Sequence, residues 1–157
     1  MGLSGPRRQP AGWRTARHRG GIEMDWVFLI GRILFAYLVI GSGVAHLTQT
    51  KAMAGYAGSK GVPSPELLTR LTGVQLLLGG LSVLLGVWGD LGSILLLLFL
   101  VPTAFLMHGF WKESEAMAKQ MEMVQFNKDI ALAGATLAFW WVFDSSVGLT
   151  ITGPLFG

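Results

Sequence analysis

The chain has 157 residues, 52% of them hydrophobic and only 13% charged, with a mean hydropathy of +0.53. A water-soluble domain of ordinary make-up carries about a quarter charged residues. Composition therefore excludes that class and makes lipid the solvent for much of the surface. Cysteine is absent, which excludes disulfides, thiolate nucleophiles, iron–sulfur ligation and zinc–thiolate sites.

The net charge of +3 does not describe a nucleic-acid surface. Of the twelve Lys and Arg residues, Arg7, Arg8, Arg14, Arg17 and Arg19 fall in the first nineteen positions. A basic tail ahead of an apolar helix sets topology or meets lipid headgroups. The remaining cations form no stripe, and no nucleic-acid partner is expected. Residues 1–23, rich in Gly, Pro and Arg, read as a disordered basic tail. Alternatively, Met24 is the true start, because Met24-Asp25-Trp26 stands directly before the first apolar run.

Four apolar runs follow within residues 24–146: about Trp26 to Leu47, Leu67 to Trp88, Leu91 to Trp111 and Phe126 to Phe143. They are continuous rather than alternating, which predicts helices and excludes a membrane barrel. About 20 residues are needed to cross the hydrocarbon core. The first three runs reach that length, and the fourth leans on Phe139, Trp140, Trp141 and Phe143 as an interface anchor. The expected fold is all-α, a four-transmembrane-helix bundle surrounded by lipid. Gly89-Asp90 predicts a tight turn joining helices two and three as an antiparallel hairpin. Ser64 or Pro65 starts the second helix. Residues 112–125 read as a short interfacial helix, with Met117, Met121 and Val124 on one face and a Glu115–Lys119 pair on another. Residues 147–157 read as a C-terminal tail.

Stripes of small and polar residues mark the contact faces. Arg32, Ala36, Val39, Gly43 and His46 share one face of helix one. Thr72, Gln75, Gly79, Ser82 and Gly86 share one face of helix two, and Ala131, Ala135 and Ala138 line helix four. Small residues let backbones approach where no hydrophobic force pulls helices together. Arg32 and Gln75 are expected as interhelical polar contacts, with Arg32 able to snorkel towards the N-terminal face. Pro102 frees the Leu98 carbonyl in helix three. Counting cations on either face leaves the orientation finely balanced, and concentrated charge before helix one places both termini in the cytoplasm.

Four crossings bring one polar set to the face opposite the termini: His46, Arg70, His108, Trp111, Asn127, Lys128 and Asp129. Ionisable groups at the membrane boundary are costly unless paired or hydrated, which makes this set a candidate ligand-binding cluster. The plainer alternative is that these residues meet headgroups and that Lys128 and Asp129 cap helix four. Two lone histidines are a weak signal for bis-histidine haem, which is not expected, and no metal-ligand spacing stands out. Gln75 reads as an interhelical bond rather than a ligand contact.

Several segments, taken in order, resemble the DoxX family of small bacterial membrane proteins. They are Gly31-Arg32-Ile33-Leu34 through Gly41-Ser42-Gly43, then Lys60-Gly61-Val62-Pro63 and Gly79-Gly80. His108-Gly109-Phe110-Trp111 and Phe126-Asn127-Lys128-Asp129 leading into Ala131-Leu132-Ala133-Gly134 complete the series. The chain departs from the family pattern at His46, Gly109 and Asp129, where a lysine and two asparagines are usual. The resemblance implies a multi-pass protein of the bacterial inner membrane, linked to redox or oxidative-stress systems. It implies a quinone-like ligand at the polar cluster and a separate redox protein as partner. A small-solute transporter and a non-catalytic scaffold or anchor are the alternatives.

Overall fold

The computed structural model describes the backbone of residues 12–145 and 147–156, and the side chains of these from Met24 onwards. Among the described residues, five α-helices stand in order: α1 (Gly12–Thr48), α2 (Thr50–Ser59), α3 (Pro65–Leu85), α4 (Gly89–Met107) and α5 (Ala116–Asp144). A 3-10 turn, Phe110–Lys112, joins α4 to α5. No strand occurs among the described residues. Among the described residues, three stretches are long and apolar enough to cross a membrane: Met24–Thr48, Pro65–Leu85 and Gly89–Lys112. Their outward faces, including Ile33, Leu34, Tyr37, Leu71, Leu78, Leu98 and Leu106, are exposed, as a lipid-facing surface requires.

Four elements differ from the sequence expectation. Residues 12–23 continue α1 instead of forming an unstructured tail; extending an existing helix avoids the cost of a new nucleus. Residues 1–11 of that expected tail lie outside the described residues. The long link after helix one contains the separate helix α2. Residues 116–125 form the first turns of α5 rather than a distinct interfacial helix, because Glu115 caps the whole element. Its carboxylate accepts from the N–H groups of Met117 and Ala118. The α3–α4 turn falls at Gly86–Trp88, and Gly89-Asp90 opens α4. Gly86 has φ +62°, a left-handed conformation that costs glycine nothing.

Helix packing follows the small residues. A methyl at Gly73 would stand 2.9 Å from His46 Cβ, and one at Gly80 would stand 2.8 Å from Ile40 Cγ1. These two glycines, two helical turns apart, let α3 lie against α1. Gly79 meets Leu96 and Gly92 on α4. The α1 stripe of Arg32, Ala36, Val39 and Gly43 is buried as expected. The α5 stripe is not: Ala131 and Ala138 are exposed, and Asp129, Ala133 and Thr136 take the inner face. Between α1 and α5 the contact is aromatic. Phe28 and Phe35 meet Phe139 edge-on at 5.6 and 4.9 Å, and Phe28 meets Phe143 at 5.3 Å.

The C-terminal segment folds back over the end of the bundle where α3 turns into α4. Ile151 and Thr152 donate backbone N–H groups to Gly86 O. Asp90 Oδ2 accepts from the N–H groups of Leu155 and Phe156 at 2.7 and 2.8 Å. Arg32 is 1% exposed, so it does not snorkel. Its Nη2 donates to Leu149 O at 2.7 Å, and its guanidinium stands 5.3 and 5.8 Å from the Phe28 and Phe143 ring centres.

Glycine contacts of this kind predict an asymmetry. Gly79→Val drives atoms into Leu96 and Gly92 and lowers stability by about 1–3 kcal/mol. Gly134→Ala, at a position with no atom within 4 Å of the new methyl, leaves stability unchanged or raises it slightly. Thermal unfolding of the two variants in detergent measures the difference.

Candidate functional site

The end of the bundle away from the C-terminal segment is built differently. There the last turns of α1, the middle of α2, the first half of α3, the last half of α4 and a short stretch of α5 surround a partly open cavity of about 600 Å³. Its walls are mostly apolar, with Met53, Leu68, Leu98, Phe99 and Pro102 among them. Its polar edge carries His46, His108, Gln125, Lys128 and Asp129. That combination of an apolar body and a few convergent polar groups is the usual form of a small-molecule site.

Glu122 organises the floor of this edge. Its Oε1 accepts from the Tyr56 hydroxyl and from Lys60 Nζ at 2.9 Å, and its Oε2 faces His108 Nδ1 at 2.8 Å. Lys60 also donates to Glu113 Oε1 at 2.7 Å. One carboxylate thus ties α2, the α2–α3 link, the end of α4 and α5 together. Burial opposes ionisation of Glu122, but the hydrogen bonds from Tyr56, Lys60 and His108 outweigh it and hold the carboxyl down at about 2. The bonds from Lys60 to Glu113 and Glu122 raise the Lys60 ammonium. Burial, then the Glu122 carboxylate, pushes the Tyr56 hydroxyl up to about 12.

His46 turns Nδ1 to Ser42 O at 2.8 Å and meets the Phe99 ring edge-on. His108 Nε2 stands 3.7 Å from Asp129 Oδ2. Asp129 is 4% exposed, and Lys128 stands beside it at 3.4 Å while donating to Gln125 Oε1 at 2.6 Å. Deeper in the cavity, Gln75 donates from Nε2 to Leu95 O at 2.8 Å, an α3–α4 contact.

Of the seven residues grouped from sequence, His46, His108, Lys128 and Asp129 line the cavity. The other three lie elsewhere. Arg70 pairs with Glu66 one turn before it, both side chains more than half exposed. Trp111 joins Phe105, Phe110 and Phe126 in an aromatic group, and Asn127 is exposed. Asp129 lies well inside α5 and does not cap it. Sequence reasoning missed Tyr56, Lys60 and Glu122. The signal for Glu122 was its spacing: Glu122, Gln125 and Asp129 fall on one face once residues 116–144 are taken as a single helix.

Fold and site together define an all-helical, multi-pass membrane protein with a ligand-sized cavity at one end of its bundle. The family comparison agrees in class: the DoxX family model matches residues 27–109. The chain belongs to the DoxX family. No curated protein and no solved structure shows a significant match to it.

The Glu122 geometry fixes a pH window. A carboxyl lowered from 4.5 to about 2 stabilises the fold above pH 4.5 and loses that contribution as pH falls towards 2. Tyr56, raised from 10.0, contributes fully below pH 10 and loses its share as pH rises towards 12. Stability should therefore be flat between these limits and fall on both sides. Glu122→Gln should cost about 1.5–3 kcal/mol at neutral pH and flatten the acid limb. Denaturation midpoints across pH test both expectations.

Proposed function

We propose that this DoxX-family protein is the membrane subunit of a redox or oxidative-stress system and holds a quinone-type ring in the cavity between α1, α3 and α4. The observation that carries the reading is the cavity itself. It has apolar walls for a ring and the start of its tail, and a polar edge with two imidazoles. Its volume of about 600 Å³ lies within the range that encloses small organic ligands. A polar edge at the helix ends stands where the head of a membrane quinone resides. With no cysteine in the chain, electrons move on a bound cofactor or on a separate redox protein. The setting in this reading is the bacterial inner membrane, with both termini in the cytoplasm.

The reading includes a fourth crossing by the second half of α5. Asn127, Lys128 and Asp129 lower the apolar character of that helix. They do so only at the cavity edge, and residues 130–143 bring Phe139, Trp140, Trp141 and Phe143 to the other end. Reporter tags at Met24 and after Phe156 should then report the same side of the membrane. Opposite sides would remove α5 from the bilayer.

Ligand binding is tested on the purified, folded protein. A short-tailed benzoquinone and its quinol, each at saturating concentration, should raise the thermal midpoint through mass action, by about 2.7 kcal/mol at a hundred times Kd. Thr72→Phe, which fills the cavity, should abolish the rise. A folded wild-type protein that responds to neither form would overturn the reading. Beyond Gln75 the interior is packed by Phe35, Leu76, Val83 and Leu96, which favours a ligand site over a solute pathway. Proteoliposome uptake unaffected by Thr72→Phe would agree with that.

A further inference from the structure

The hydrogen-bonding character of the cavity is lopsided at its two histidines. His46 Nδ1 lies 2.8 Å from Ser42 O. A backbone carbonyl only accepts, so Nδ1 carries the proton and the neutral ring keeps a bare Nε2. His108 is fixed the same way. Its Nδ1 lies 2.8 Å from Glu122 Oε2, an oxygen of a carboxylate held ionised by Lys60 and Tyr56. In the neutral ring, the tautomer that donates there again leaves Nε2 as an acceptor. Across from it stands Asp129 Oδ2 at 3.7 Å, too far for the two to bond to each other. The result is a gap between an imidazole nitrogen and a carboxylate, both lining the cavity.

Deeper positions continue the pattern. Gln75 has used an amide proton on Leu95 O, which leaves its amide oxygen as an acceptor. The hydroxyls of Thr69 and Thr72 donate to Pro65 O and Leu68 O of their own helix. Pro102 has no N–H for the Leu98 carbonyl, and both residues line the cavity. The donors on the lining are the Lys128 ammonium, which already faces Gln125 and Asp129, the Gln125 amide and the hydroxyls of Ser42 and Thr103.

We propose that the cavity selects the hydrogen-bond-donating, reduced ring, a quinol or a related hydroxylated aromatic, over the oxidised quinone. A quinone presents its carbonyl acceptors to the acceptors at His108, Asp129 and His46. A quinol presents two hydroxyl donors. The gap between His108 and Asp129 takes one of these protons, and His46 offers a second acceptor. A site whose polar groups are matched by one form rejects the form that leaves them unpaired. The inference rests on the ring-binding reading above and goes beyond it by naming the redox form that the side chains recognise.

The test titrates the wild-type protein anaerobically, by intrinsic tryptophan fluorescence, with a short-tailed benzoquinone and separately with its chemically reduced quinol. The quinol should bind at least about ten-fold more tightly. Asp129→Asn supplies amide donors where a carboxylate stood and should shrink that ratio towards one. His46→Phe, which keeps an aromatic ring but removes the acceptor, should shrink it independently. Equal or tighter binding of the quinone by the wild type would overturn the selectivity and leave the ring-binding reading intact. Binding of neither form by folded protein would overturn both. Because the wild-type ratio decides the matter, a variant that fails to fold does not rescue the proposal.

Discussion

A charged group beneath an apolar surface has to be matched by its neighbours, or it neutralises or pulls water in. Both ends of this bundle are organised by that demand. At one end Arg32 and Asp90, each 1% exposed, are met by the backbone of the C-terminal segment: a carbonyl for the guanidinium and two N–H groups for the carboxylate. At the other end Glu122 gathers Tyr56, Lys60 and His108. Between them the helices approach through Gly73, Gly79 and Gly80 with little help from hydrophobic force. Polar clamps at the ends set the register that the glycines then allow to close.

Much of this was legible in the residues themselves. A continuous apolar run of 20 residues has one structural meaning in lipid, and the α1 stripe from Arg32 to Gly43 reported its buried face through period alone. The Ser64-Pro65 start of α3 was equally plain, since Pro65 suits the first helical position. What was hidden depended on partners far away in sequence. Asp90 reads as a turn residue until Leu155 and Phe156 arrive 65 and 66 positions later. Glu122 reads as a surface charge until Lys60 and Tyr56 close over it. Arg70, by contrast, had a partner four residues away in Glu66, and that local pair keeps it out of the cavity.

The long helix α5 explains why the fourth run was hard to delimit. Its first half carries Lys119, Glu122, Lys128 and Asp129, and its second half carries Phe139, Trp140, Trp141 and Phe143. A change of character within one rod reads, in sequence, as a boundary between two. Nothing in the backbone breaks there, because Glu115 caps the start and the hydrogen-bonded ladder continues to Asp144. The polar half is therefore carried rigidly into contact with α4. That rigidity holds Asp129 opposite His108 while Glu122, two turns earlier, holds the other nitrogen of the same ring.

The depth of the cavity bears on how a ligand reaches it. Its lining on α3 runs from Pro65 to Gln75, ten residues or about 15 Å of helix, roughly half of a 30 Å hydrocarbon core. Beyond Gln75 the interior is filled by Leu76, Val83, Leu96 and Phe35, all buried. Past that plug the Arg32 and Asp90 contacts close the far end. A solute crossing the membrane would have to displace both a packed apolar layer and the backbone contacts of buried Arg32 and Asp90. A ring that enters at the polar edge and leaves the same way displaces neither. On the proposed reading, chemistry performed on such a ring would be completed at that edge, within reach of His46, His108 and Asp129, and an electron-transfer partner would dock on the face where α2 and the start of α5 lie.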